Sequence, residues 1–266
     1  DYIKAELELK NAIQIDPEYA DAYFLLGRIA LEKKDFQGAY KMFNQTTTLD
    51  PENLDARINL GKLLLAGRAL DKAAEQTDLI LAKDPASIDG RLLKSSIHFM
   101  KKEIGQGEAI LSDMYKEGIT QPELYIMLSS AARLKKQDAL SLMYLNEGLE
   151  KNPDHISTLL ALARLEASSN NFDKVEEYLG RTIELEPEKS LYKINLAKIL
   201  LSQKKVEQTE EILSRMLASD AEEKTRIDAA NLWLSAKMTE KAEQLMKEGI
   251  ALNQDSFDFR LYLAEL

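Results

Sequence analysis

The sequence predicts an all-α solenoid of antiparallel helix hairpins, and three observations carry that prediction. Five of the six prolines, Pro17, Pro51, Pro85, Pro153 and Pro187, follow one another at 34, 34, 68 and 34 residues. Columns of small and large side chains recur in phase with this comb and sit three or four residues apart, the helical period. No stretch shows sustained apolar–polar alternation or an Asn-Gly hairpin turn. A fixed period of this length marks a chain built from repeated supersecondary units.

The stretch 20–53, ADAYFLLGRIALEKKDFQGAYKMFNQTTTLDPEN, is the best-formed unit: two amphipathic helices and a turn, closed by Asp50-Pro51. Proline cannot continue a helix interior but suits a tight turn and the first turn of the next helix. One tooth of the comb is missing at Ile119, and the teeth after Pro187 fall on Ala221 and on Gln254, the latter one residue early. The Gly27 column (Gly27, Gly61, Ser95, Ser129, Ala163, Ala197) is small enough for the two helices of a unit to approach closely. On the second helix, Ala5, Ala39, Ala73 and Gly107 form a small column, and Leu9, Phe43, Thr77, Leu111, Leu145 and Leu179 a mostly large one four residues on.

The expected organisation is a single solenoid over 1–266. It has a partial repeat at 2–19, full repeats at about 20–53, 54–87, 88–121, 122–155, 156–189, 190–223 and 224–256, and a partial repeat at 257–266. Each repeat buries its apolar face only against its neighbours, so the ragged ends read as those of a piece of a longer solenoid. Repeat three departs from the pattern. In strict register its first helix would bury Arg91, Lys94, Ser95 and His98, and unpartnered burial of such charges costs several kcal/mol. A one-residue rotation would bury Leu92, Ser95, Ser96 and Phe99 and turn Leu93, Ile97 and Met100 outward. An irregular joint is therefore expected near 86–124.

Composition narrows the function. The chain is 45% hydrophobic and 30% charged, with no apolar run long enough to cross a membrane. Cysteine is absent, which excludes disulfides, thiolate metal sites and cysteine nucleophiles. The net charge of -10, with both signs interspersed, argues against a nucleic-acid partner. His98 and His155 lie 57 residues apart without metal-type neighbours. Gly105-Gln106-Gly107 has neither the preceding strand nor the following Gly-Lys-Ser/Thr of a phosphate loop. No catalytic residue, metal site or cofactor is expected, and the chain is read as not an enzyme.

The residues Tyr23, Leu26, Gly27, Ala39, Phe43 and Asp50-Pro51, with their equivalents downstream, resemble the tetratricopeptide repeat family. The resemblance implies helix hairpins stacked into a right-handed superhelix whose first helices line a concave groove for peptides or partner proteins. Transferred to this chain, the groove carries an apolar column of Phe24, Ile58, Leu93 (or Leu92), Ile126, Leu160 and Ile194, broken at Asp228 and resumed at Leu261. Asn59 and Asn195 follow that column, where the family's asparagines hold a ligand backbone. Arg28, Lys62, Arg164 and Lys198 stand four residues past it, with Ser96 or Ile97 and Ser130 between, as a row of cations able to pair with ligand carboxylates. Asp21, Asp55, Asp89 and Glu123 occupy the first turns, where they favour the helix dipole. The clamp that grips chaperone C-termini needs a lysine in the apolar column and an asparagine four residues on. Phe24/Arg28 and Ile58/Lys62 do not match it.

A narrower resemblance concerns Leu9-Lys10-Asn11-Ala12, Asp16-Pro17 and Leu26-Gly27. These are similar to the repeats of bacterial envelope lipoproteins associated with exopolysaccharide and PEP-CTERM systems, which implies a periplasmic scaffold or assembly factor. The expected function is a non-catalytic protein-binding module without membrane insertion. The alternatives are a spacer that self-associates end to end through its exposed terminal helices, and a regulatory domain of a larger enzyme.

Overall fold

The computed structural model describes residues 2–219 and 222–265, so the Ala221 tooth of the comb lies outside the described residues. The chain divides into two compact units, Asp1–Lys135 and Lys136–Leu266. Each is built of antiparallel α-helices, and the helices alternate between a first (A) and a second (B) type in every repeat.

The first unit runs α1 (Tyr2–Ile15), α2 (Ala20–Glu32), α3 (Phe36–Leu49), α4 (Leu54–Ala66), α5 (Leu70–Lys83), α6 (Ile88–Met100), α7 (Ile104–Lys116) and α8 (Pro122–Leu134). Its even-numbered members are the A helices, and they start 34 residues apart at Ala20, Leu54, Ile88 and Pro122. The second unit runs α9 (Asp138–Lys151), α10 (Ile156–Ser168), α11 (Phe172–Leu185), α12 (Ser190–Ser202), α13 (Val206–Ser219), α14 (Glu223–Ser235), α15 (Thr239–Leu252) and α16 (Phe257–Glu265). Here α14 starts 33 residues after α12. The apolar column therefore continues at half-buried Ile227, and Asp228, the residue read into it from the sequence, is exposed beside it.

Local chemistry sets the turns. Asp16, Asp50 and Asp84 each accept a hydrogen bond at 3.0 Å from the backbone N–H two residues on, bracketing the proline between them. Asn53 then caps α4 by accepting from Ala56 N–H at 2.9 Å, and Ser87 caps α6 by accepting from Gly90 N–H at 3.2 Å. The A–B turns are closed differently. Lys34 N–H donates to Leu31 C=O and Asp35 N–H to Ala30 C=O, and the same pair of bonds recurs after α4 and α6. This is the Schellman pattern, and it needs a left-handed residue. Lys34, Arg68, Lys102, Lys136, Asn170, Lys204 and Lys237 fill that position at φ between 57° and 63°.

The core of the first unit gathers Ala39, Phe43, Ala56, Leu60, Leu64, Ala73, Leu93 and Ile97. A Cβ added at Gly27 would lie 2.7 Å from the Phe43 ring, which is why the first small column faces the large one. In the second unit, Leu213, Met216, Ala229, Ala230, Trp233, Ala242, Met246 and Phe259 form the corresponding core.

Repeat three corrects the sequence reading. Helix α6 starts in strict register, without the one-residue rotation. Leu93 and Ile97 are each 4% exposed, inside the core, while Leu92, Ser96 and Phe99 are half-buried. The charges that prompted the rotation are only half-buried, and each has a partner. Arg91 makes a bidentate pair with Glu117 at 2.5 and 2.8 Å, Lys94 faces Asp78 at 3.5 Å, and His98 Nδ1 meets Glu103 at 2.6 Å. Long side chains bury their stems and keep their heads at the surface. The irregularity lies instead after α7, which has 13 residues against the 14 of α3 and α5. Gly118, at φ 78°, replaces the Asp-Pro turn, and Pro122 opens α8.

Candidate functional site

The A helices of the first unit present Phe24, Ile58, Leu92 and Ile126 as a half-buried column, with Arg28, Lys62, Ser96 and Ser130 one turn further on. Phe24 rests on the core, its ring 5.9 Å from that of Phe43 at an interplanar angle of 57°. Three of the residues expected from the sequence, Phe24, Arg28 and Asn59, converge with Leu31, Glu32 and Asp55 around a cavity of about 300 Å³ between α2 and α4. Arg28 is exposed and makes no ion pair among the described residues. Asn59 donates its carboxamide N–H to the Asp55 carbonyl at 2.8 Å, which holds the side chain against its own helix and leaves its oxygen open. Lys62 pairs with Asp89 of α6 at 2.7 Å, both side chains about half exposed, so this cation is already balanced.

Leu93 and Ile97 do not belong to this face. A Cβ added at Gly61 would stand 2.5 Å from Leu93 Cδ2, so the bare glycine lets Leu93 close onto α4. Leu25 and Ile29, which precede them in the same columns, likewise turn away from this cavity. They line a cleft of about 490 Å³ between α1 and α2 together with Tyr2, Ala5, Glu8 and Leu9, and Arg28 and Glu32 border this cleft as well as the cavity. The space that the rotated reading assigned to Leu93 and Ile97 is bordered instead by Ser96, Phe99, Met127, Ser130, Ala131 and Leu134, around about 310 Å³ between α6 and α8. Phe99 and Met127 are in the Leu31 and Asn59 columns; following those columns to the ends of the A helices would have found them.

In the second unit, Leu160 and Ile194 are half-buried, and Arg164, Asn195 and Lys198 are exposed on the A helices α10 and α12. Neither Arg164 nor Lys198 makes an ion pair among the described residues. A cavity of about 120 Å³ lies between α13 and α15, beside Trp233 and Lys241, and includes none of the expected residues. Among the described residues no three His, Cys, Asp or Glu side chains come together as a metal site. No helix among them is long and apolar enough to cross a membrane.

A family model described as tetratricopeptide repeat matches residues 1–47 and 30–97, the helix pairs of the first unit up to α6. No curated protein matches the chain by sequence. Among solved structures, yeast Tom70 is similar with a TM-score of 0.72 at 18% identity, over 91% of this chain and 51% of that one. A chain of the APC/C hetero-tetramer Cut9-Hcn1 gives a TM-score of 0.64 at 18% identity, over 89% of this chain and 46% of that one. The chain thus spans about half the length of these two relatives. PilW, described as a widely conserved type IV pilus biogenesis factor, gives 0.55 at 21% identity, over 70% of this chain and 87% of that one. These likenesses establish the fold: an all-α solenoid of the tetratricopeptide-repeat type.

Proposed function

We propose that the chain is a protein-binding module whose A-helix face holds a segment of a partner protein. The observation that carries the reading is the cavity between α2 and α4, where Phe24, Arg28 and Asn59 come together. It offers an aromatic wall, a guanidinium without an ion pair among the described residues and an open amide oxygen. An extended segment needs apolar contact for its side chains and polar partners for its backbone, and this wall supplies both. A preformed helical face also spares the partner the cost of ordering it. Replacing Arg28 by Glu and Asn59 by Ala, both at exposed or half-exposed positions, is expected to reduce capture of the native partner at least about tenfold with the helical circular dichroism unchanged. Unchanged capture would remove the reading.

The finer form is a scaffold or assembly factor of a bacterial envelope. It is supported by the resemblance of the N-terminal run and by the fold shared with PilW, and fractionation of the source cells tests it. A second reading, end-on association of copies, is favoured by the apolar cleft between α1 and α2. Light scattering that returns a strict monomer over a concentration series would exclude it.

A further inference from the structure

We infer that the cavity between α2 and α4 holds the amino-terminal residue of a partner chain, with its free ammonium. This rests on the reading of the A-helix face as a binding face and names the group it recognises. The cavity encloses about 300 Å³ and is lined by Phe24, Arg28, Leu31, Glu32, Asp55 and Asn59. That volume stands at the lower end of ligand pockets. Its charges are not spent on one another. One repeat on, Lys62 and Asp89 occupy the positions of Arg28 and Asp55 and close into an ion pair at 2.7 Å. Arg28, Glu32 and Asp55 are exposed and make no ion pair among the described residues. The two positions that meet between α4 and α6 thus stand open around a cavity between α2 and α4.

The chemistry of the lining selects the occupant. The acceptors are the Glu32 and Asp55 carboxylates and the oxygen of Asn59, whose amide N–H donates to the Asp55 carbonyl at 2.8 Å. The Arg28 guanidinium is the charged donor among them. A carboxylate in this cavity would gain Arg28 but face two acids. A lysine ammonium would gain the acids but be opposed by Arg28. An internal peptide unit brings one donor and one acceptor and leaves the acid in surplus. The first residue of a chain brings three N–H donors on a positive nitrogen and a carbonyl oxygen three bonds away, so both signs of the lining find a partner. Its side chain lies against Phe24 and Leu31, which are apolar and half-buried. Charges next to the lining do not reverse this balance. Lys33 pairs with Glu6 at 2.5 Å, and Lys62 is taken by Asp89. Lys34 and Asp35, one of each sign, follow α2 outside the lining. Asp21 in the first turn of α2, and Glu8, which borders the cleft between α1 and α2 with Arg28 and Glu32, add acid.

The test is fluorescence anisotropy at low salt with a short peptide that begins with leucine and has a free amino terminus. Its other residues are glycine and serine, and it bears fluorescein at its carboxyl end. One comparator is the same peptide N-acetylated. The other is N-acetylated with lysine in place of the leucine, which keeps an ammonium but moves it away from the carbonyl. The free-amine peptide is expected to bind at least about tenfold more tightly than either. The lysine comparator carries the same charge, so attraction by the net charge of -10 does not produce that preference. Asp55→Asn and Arg28→Gln are each expected to weaken the free-amine peptide at least about fivefold with the helical circular dichroism unchanged. Asp113→Asn, which removes the same charge from an exposed pair with Lys116, is expected to leave it unchanged. Equal binding of the free and acetylated peptides, or indifference to both cavity variants, overturns the inference. Full displacement of the peptide by an equal concentration of free leucine assigns the cavity to a free amino acid and overturns it as well. If no peptide binds, or acetylation makes no difference, while the Arg28 and Asn59 substitutions still reduce capture of the native partner, this inference falls and the binding-face reading stands.

Discussion

Gly27 and Gly180 are both helical glycines, and their surroundings give them opposite values. At Gly27 an added Cβ would meet three Phe43 ring atoms at 2.7 to 3.0 Å, and a buried ring cannot step aside. Gly180 has nothing within 4 Å. Gly27→Ala is therefore expected to destabilise by about 1–3 kcal/mol, the range for overpacking a filled core. Gly180→Ala is expected to stabilise by up to about 1 kcal/mol through helix propensity and chain entropy. Urea midpoints of the two variants check both signs. The same scale shows why Leu93 and Ile97 were misread. A residue's column fixes its angle on the helix, and Phe24, Arg28 and Asn59 border one cavity. Whether the angle faces solvent depends on what the neighbouring helix lacks. Gly61, one helix away, leaves the space that Leu93 fills, and no count along the chain pairs the two. Asn59 borders the same cavity, but its bond to the Asp55 carbonyl depends on a rotamer the sequence does not specify.

Among elements, α6 shows how charge substitutes for apolar burial. The stem of its Arg91 is well covered, with 15% of the side chain exposed, and the partner comes from Glu117 beyond the end of α7. The hydrogen bonds from Arg91 hold the Glu117 carboxyl below its usual range, and Glu117 in turn raises Arg91. A carboxyl whose value is depressed on folding adds stability above its unfolded pKa and loses it as pH falls through the folded value. Glu6, held low first by its hydrogen bond from Lys33, has the same sign. So does Glu176, where burial pushes the value up but hydrogen bonds from Lys205 and Gln203 outweigh it. Stability is thus expected to fall on acidification from about pH 5 downward. In Glu117→Gln the midpoint at neutral pH should be lower and the further loss between neutral and acid pH smaller, as read from urea titrations. Turn chemistry was half legible. Asp-Pro announces the B–A turns because proline and the aspartate carboxylate act locally. The A–B turns are hidden, since lysine is a poor marker of a left-handed backbone. Lys34→Gly and Arg68→Gly are each expected to stabilise by about 1 kcal/mol for the same reason, with thermal unfolding as the measurement.

At the scale of the whole molecule, the 34-residue period specifies what every repeat does and leaves open how many repeats act together. A solenoid's stability is a sum of repeat and nearest-neighbour terms, with no contact spanning the chain to enforce a single unit. The structure divides it into Asp1–Lys135 and Lys136–Leu266, each with core residues of its own. Phe43, Leu60, Leu93 and Ile97 close the first core, and both A-helix cavities are walled entirely by residues of that unit. A fragment of residues 1–135 is therefore expected to keep helical circular dichroism and to unfold cooperatively in urea. The full chain should unfold with a broader transition than the fragment, since two units with separate cores need not melt together. A fragment that loses its helicity would show that the first unit depends on the second for its fold.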